Sequence, residues 1–152
     1  MKVEFTDDIY MKAALLEAIK GKDKGEVPVG AVVVCDNRII ARGHNLTETL
    51  NDPTAHAEMQ AITAASSFLG GKYLDKCSLY VTLEPCTMCA GALFWSRIGR
   101  LVYGADDEKR GYTLNKNSVL HKKTTVVKGV LEKECRGIIS DFFKTRRQNL
   151  TG

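Results

Sequence analysis

The chain alternates between two hydrophobic rhythms. In DDIYMKAALLEAIK, Ile9, Ala13, Leu16 and Lys20 recur at helical spacing, and Met11, Leu15 and Ala18 widen the apolar face, so the stretch predicts a helix. Thr6 or Asp7 is placed to cap it and Gly21 to end it. VGAVVVC is a continuous β-branched run, which predicts a strand buried on both sides. The DN that follows is a turn signal, and RIIARGH predicts the second strand of a hairpin. AHAEMQAITAASSFLG is rich in alanine, long enough for about four helical turns, and stops at Gly70-Gly71. SLYVTLE predicts a strand ended by Pro85, and CTMCAGALFWSRIG a helix opened by cysteines. RLVYGA reads as a fourth strand, TTVVKGV as a short fifth, and EKECRGIISDFFKTRR as a closing amphipathic helix. Strands alternating with helices of this length predict a layered α/β fold. No repeat, low-complexity run or Pro/Gly/Ser linker divides the chain, so residues 1–152 are expected to form a single domain.

Composition narrows the class. A chain of 152 residues, 44% hydrophobic and 26% charged, has the make-up of an ordinary globular protein. No stretch approaches the roughly 18 apolar residues of a membrane span, and MKVEFTDDIY lacks the apolar core of a secretion signal. A cytoplasmic protein with no membrane partner is expected. Five cysteines, two of them spaced as CxxC, then predict free or metal-bound thiols in a reducing compartment. The net charge of +4 is modest, but it is unevenly spread. From Lys109 onward basic residues are frequent, and the only acidic residues after Arg110 are Glu132, Glu134 and Asp141. A polyanion would meet the C-terminal part.

Two short clusters carry the candidate chemistry: HAE at 56–58 and PCTMC at 85–89. Pro85 places Cys86 at a helix start just past a strand. Thr54, in DPTAHAE, is a possible cap, so His56 also falls at or near a helix start. Two helix N-termini converging on one point favour thiolates there. Cys86 and Cys89, three apart, share one helical face. His56, Cys86 and Cys89 suit zinc, and three ligands leave the fourth position open, as catalytic sites do. Cys35, Cys77 and Cys135 read instead as small core residues, and His44 and His121 as structural or solvent-facing. Two thiolates offset the charge of zinc, so a water at the site needs a base, for which Glu58 is the candidate. Residues two apart on a regular helix point about 200° away from each other. His56 and Glu58 can therefore share a site only in an irregular first turn. CxxC alone also fits a redox or structural role; the two motifs together, each at a helix start, point to metal-assisted hydrolysis.

H-x-E followed by P-C-x-x-C is the signature of zinc-dependent base deaminases. EVPVGAVVV, NDPTAHAEMQAI, LYVTLEPCTMCAGAL, SRIGRLVYGA and DFFKTRRQ extend the resemblance, from about residue 9 to 148, to the bacterial tRNA-specific adenosine deaminase family. That resemblance implies a three-layer α/β/α cytidine-deaminase-like fold, with a five-stranded mixed sheet flanked by helices. It implies hydrolytic deamination of the wobble adenosine in a tRNA anticodon to inosine, by a homodimer holding one zinc ion per subunit. It assigns zinc to His56, Cys86 and Cys89. It implies that Glu58 takes a proton from the attacking water, delivers it to the purine ring nitrogen and then helps the amino group leave as ammonia. It implies that Asn45 hydrogen-bonds the target nucleoside. It also implies that Val27, Pro28 and Val29 line the base pocket, with Ala57, Glu84, Pro85 and the Cys86 backbone as further substrate contacts.

An anticodon stem-loop exposes bases that are cheap to extrude. Arg146 and Arg147 are the expected phosphate contacts, with Phe142 and Phe143 as candidate stacking residues, at least one of which is expected in the core. Trp95 reads as a core or dimer-interface residue. The likeness to the family is weakest in DDEKRGYTLNKNSVLHKK, where Arg110, Gly111 and Tyr112 depart from its pattern. Two other readings remain. A deaminase of a free base or nucleoside, of guanine or cytosine type, would have no need of the basic FFxxRR helix. A zinc-stabilised RNA-binding module would need a fourth protein ligand and would leave Glu58 without a role.

Overall fold

The computed structural model describes residues 6–151. Its elements are α1 (Asp7–Asp23), β1 (Gly30–Cys35), β2 (Arg38–His44), α2 (Ala57–Leu69), β3 (Cys77–Leu83), α3 (Thr87–Ser96), β4 (Arg100–Ala105), a 3₁₀ turn at Tyr112–Leu114, β5 (Thr125–Lys128) and α4 (Glu132–Thr151). The strands form one sheet in the order β2-β1-β3-β4-β5. β1 runs antiparallel to both neighbours, whereas β3, β4 and β5 are parallel, so the sheet is mixed as expected. Asp36 and Asn37 both take positive φ, 53° and 60°, which is the two-residue hairpin turn that DN signals.

Alternation along the strands sorts the core into two layers. Ala31, Val33, Leu79, Val81, Leu101 and Tyr103 pack against Ala57, Ala61 and Ala65 of α2 and Ala90 and Leu93 of α3. Val32, Val34, Tyr80 and Val102 face the other way, against Tyr10, Met11 and Ala14 of α1 and Cys135 of α4. β1 thus feeds both layers, which is why its sequence is a continuous apolar run. The alanines of α2 bring it close to the sheet. Gly43 in β2 brings it closer still, because a Cβ there would collide with the α2 backbone at Ala57 and Ala61.

Three local expectations are corrected. α1 does not end at Gly21; it continues to Asp23, with Lys24 at its C-cap, and Gly21 lies inside the helix where it faces the His44 side chain. The face of α1 is also different. Tyr10, Met11, Ala14, Glu17 and Ala18 are buried, while Ile9 and Leu16 are 46% and 58% exposed. Thr54 does not cap α2. Its N–H and hydroxyl donate to Asp52 Oδ1 at 2.9 and 2.7 Å, and the N-cap is His56.

Candidate active site

His56 is the N-cap of α2 and Cys86 the N-cap of α3, both with extended backbone (ψ 158° and 172°). Each therefore lies just outside regular helix, and its side chain need not follow the helical screw. That frees His56 from the 200° rule, so its ring and the carboxylate of Glu58, in the first turn of α2, belong to one site. His56 Nδ1 lies 3.6 Å from Cys86 Sγ and 3.4 Å from Cys89 Sγ. A tetrahedral zinc with bonds of about 2.3 Å to sulfur and about 2.05 Å to nitrogen would set that separation at about 3.6 Å. Both nitrogen–sulfur separations thus match the edges of a zinc tetrahedron, and all three ligand atoms lie within 4.8 Å of one another.

The electrostatics also call for a cation. Glu58 is 4% exposed, and burial pushes its carboxyl up to about 7. Contacts with Cys89 and His56 pull the Cys86 thiol down to about 3, while Cys86 and burial push the Cys89 thiol up. Two thiols and a carboxyl crowd beside one imidazole here, and a dication would favour the charged form of all three acids. All five cysteines are free thiols, and among the described residues His56, Cys86 and Cys89 form the only such metal-ligating cluster. Among the described residues no fourth protein ligand joins them, which leaves the structural-zinc reading without its closing ligand.

The loops flanking the cluster are held by two buried glutamates. Glu26 is fully buried and accepts the N–H groups of Glu48 and Thr49 at 3.0 and 2.7 Å and the Thr49 hydroxyl at 2.6 Å. Burial pushes its carboxyl up, but these donors outweigh that and hold it below the ordinary range. Glu84 accepts the Asp107 N–H on Oε1, and the Thr113 N–H and hydroxyl on Oε2 at 3.1 and 2.8 Å. Gly111 packs so tightly on that carboxylate that a side chain there would collide with it. The same loop pairs with Cys86 through Gly111, and the Tyr112 N–H donates to the Pro85 carbonyl. Both Glu84 carboxylate oxygens and the Pro85 carbonyl are engaged by the 107–113 loop, so these two expected substrate contacts also hold that loop in place. Neither clamp has a sequence signal beyond a glutamate close before a proline.

Asn45 is buried beside the cluster's loops. Its Oδ1 accepts the Thr47 N–H at 3.2 Å and its own N–H donates to Val29, which ties it to the Val27–Val29 segment. Val27 and Val29 are half-buried and Pro28 is buried. Arg146 and Arg147 lie on the exposed C-terminal half of α4. Phe142 and Phe143 pack edge-on against each other at 5.3 Å, half-buried and exposed, and neither belongs to a core layer, so the expectation of a core phenylalanine there is corrected. Trp95 is 78% exposed and so is not a core residue. With Phe94, Tyr73, Arg97 and His121 it borders a surface concavity of about 650 Å³ that does not adjoin the metal cluster. His44 is structural: Nδ1 faces Glu17 at 3.3 Å and Nε2 faces Lys24 at 3.3 Å. Among the described residues no helix is long and apolar enough to cross a membrane.

Comparison with known proteins agrees with this geometry. A family model for MafB19-like deaminases matches residues 5–147. A tRNA-specific adenosine deaminase of Bacillus subtilis (strain 168) is 48% identical over 147 residues, covering 93% of this chain and 91% of its own. A solved structure from work on A-to-I editing by tRNA:A34 deaminases at the wobble position superimposes with a TM-score of 0.81 at 45% identity, covering 86% of this chain and 98% of that one. A guanine deaminase from Bacillus subtilis is 44% identical but covers 67% of this chain and 66% of its own, with a TM-score of 0.64.

Proposed function

The chain belongs to the tRNA-specific adenosine deaminases, and we propose that it converts the wobble adenosine of a tRNA anticodon to inosine by hydrolysis, releasing ammonia. The observation that carries this reading is the zinc-spaced triad of His56, Cys86 and Cys89 with the buried carboxyl of Glu58 beside it. Zinc, when bound, supplies the Lewis acidity that makes a water nucleophilic near neutral pH. The protein does the rest. Glu58 accepts a proton from the attacking water, holds it on its carboxyl oxygen and hands it to the purine ring nitrogen as C6 is attacked. Glu58 then carries the proton of the new C6 hydroxyl to the amino group, which leaves as ammonia as the C6 carbonyl forms. The buried site suits this task, because burial raises the Glu58 carboxyl above the ordinary carboxylate range and makes it a stronger base than an exposed glutamate.

Asn45, with Oδ1 held by Thr47, keeps its amide N–H groups for an acceptor on the target nucleoside. Val27, Pro28 and Val29 wall the base pocket, and the Ala57 and Cys86 backbones sit where charge develops, at two helix N-termini. Arg146 and Arg147 meet anticodon phosphates, with Phe142 and Phe143 beside them. The enzyme acts as a cytoplasmic homodimer of one-domain subunits, each binding one zinc ion. The exposed Trp95, Phe94 and Tyr73 supply an apolar surface suited to a second copy.

The likeness to a guanine deaminase keeps a free-base activity as the second reading. The test offers the purified protein an anticodon stem-loop with a wobble adenosine and, separately, free adenosine, cytidine and guanine. Inosine from the stem-loop alone supports the proposal; ammonia from a free base alone moves the substrate to the second reading. In either arm Glu58→Gln should lower turnover by about 10²–10⁴-fold while zinc content, read by metal analysis, stays the same.

A further inference from the structure

Two thiols outside the metal cluster face each other across the sheet. Cys35 ends β1 and Cys77 begins β3, and the antiparallel register sets them directly opposite one another. Opposed pairs in such a ladder alternate between hydrogen-bonded and non-hydrogen-bonded, and the second kind brings the side chains closer. Four bonds settle which kind this is. The Cys77 N–H donates to Leu74, and its carbonyl accepts from Gly99, so neither group is paired with Cys35. The Gly30 N–H points to β3, where it meets Thr82, while the Val29 carbonyl turns toward β2 and accepts from Asn45. Even-numbered residues of β1 therefore bond to β3 and odd-numbered ones to β2. Cys35 and Cys77 form a non-hydrogen-bonded pair, with Cα atoms expected about 4.5 Å apart, inside the range a disulfide spans.

Both side chains lie on the α2/α3 side of the sheet, at the end opposite the metal cluster. Cys35 is half-buried and so within reach of a small oxidant, whereas Cys77 is buried beneath it. The Cys35 thiol donates weakly to the Lys76 carbonyl at 3.7 Å, in the loop just before β3, and among the described residues this pair belongs to no cluster of three or more metal-ligating groups.

We propose that Cys35 and Cys77 are a redox modification site, closed by peroxide to an intramolecular disulfide that staples β1 to β3 and leaves the zinc centre intact. In the first step a Cys35 thiolate attacks the peroxide O–O bond, giving the sulfenic acid and releasing water. In the second the Cys77 sulfur attacks that sulfenic sulfur and displaces a second water. Overall two thiol hydrogens and one peroxide become one S–S bond and two waters. Burial, followed by the neighbouring Cys35 thiol, pushes the Cys77 thiol up to about 12, so the second step is driven by contact and not by a standing thiolate.

The test treats zinc-loaded protein with hydrogen peroxide, alkylates the remaining thiols and maps the peptides by mass spectrometry, with zinc measured in parallel. The expected result is a Cys35–Cys77 linked peptide lighter by two hydrogens, full zinc occupancy and an unmodified Cys135. Cys77→Ser should then trap Cys35 as a sulfenic acid that dimedone labels, and Cys35→Ser should leave Cys77 as a free thiol. A linkage between Cys86 and Cys89 with zinc release, or dimedone labelling of Cys35 as strong in the wild type as in Cys77→Ser, would overturn the proposal. Neither residue belongs to the deamination machinery, so the outcome does not depend on which substrate the enzyme uses.

Discussion

Single residues at the site divide into those that carry chemistry and those that hold loops. His56, Cys86, Cys89 and Glu58 were legible because their motif is local and their chemistry is unusual for their positions. Glu26 and Glu84 were not, because a glutamate in a sequence reads as a surface residue, and only the fold shows that each is buried under N–H groups from a distant loop. The Glu84 clamp makes a specific prediction. Glu84→Ala leaves the Asp107 and Thr113 N–H groups without their acceptor and a void beneath Gly111. The loss of these bonds should cost about 2–3 kcal/mol of stability. The loop should become a site of early proteolytic cleavage between Asp107 and Thr113, and KM should rise more than kcat falls, because the metal ligands are untouched. Limited proteolysis and steady-state kinetics on the same preparation would read both. Equal loss of kcat with an unchanged KM would place Glu84 in the chemistry itself.

At the level of elements, strand and helix positions followed from sequence rhythm, but the orientation of α1 did not. Ile9, Leu16 and Ile19 form a stripe as apolar as the buried one, and the face that packs is chosen by fit. Small Ala14 and Ala18 let the helix approach Gly30, and the charged Glu17 is accommodated by Lys20 and His44. Asp7 at the start of α1 secures this orientation through paired bonds of 2.7 Å from Arg100 of β4, with the Tyr80 hydroxyl donating at 2.6 Å. Those bonds, from Arg100 first, hold the Asp7 carboxyl below the ordinary carboxylate range. Its folded pKa is depressed, so its stabilisation is fully present above the unfolded value of about 3.9 and is lost as pH falls through the folded value. Asp7→Asn should cost about 1 kcal/mol at pH 7, and the gap from the wild type should close as urea unfolding is repeated below about pH 4. The packing of α2 is tested separately. Gly43→Ala pushes on the turn that carries His56 and Glu58, and overpacking there should cost about 1–3 kcal/mol and weaken zinc retention against a chelator. Gly104→Ala, which meets Cys135 on the other side of the sheet, should destabilise comparably and leave zinc retention unchanged.

Across the whole molecule, the metal centre is mounted on a sheet that does not depend on it. The two core layers are apolar and covered by helices, and none of His56, Cys86 and Cys89 belongs to either layer. Chelation should therefore abolish turnover and leave the far-ultraviolet circular dichroism nearly unchanged, with zinc alone restoring activity. Collapse of the helical signal on chelation would instead indicate a metal that builds the fold. The placement of Trp95 has a different kind of consequence. It is the only tryptophan in the chain, and it stands 78% exposed on α3 with Phe94 edge-on at 5.4 Å. The intrinsic emission of an isolated subunit therefore reports a wet surface and not the interior. It should be red-shifted in the native state, change little on unfolding and move to the blue when another chain covers that face. The protein thus carries its own optical probe of association, nearly silent to its folding.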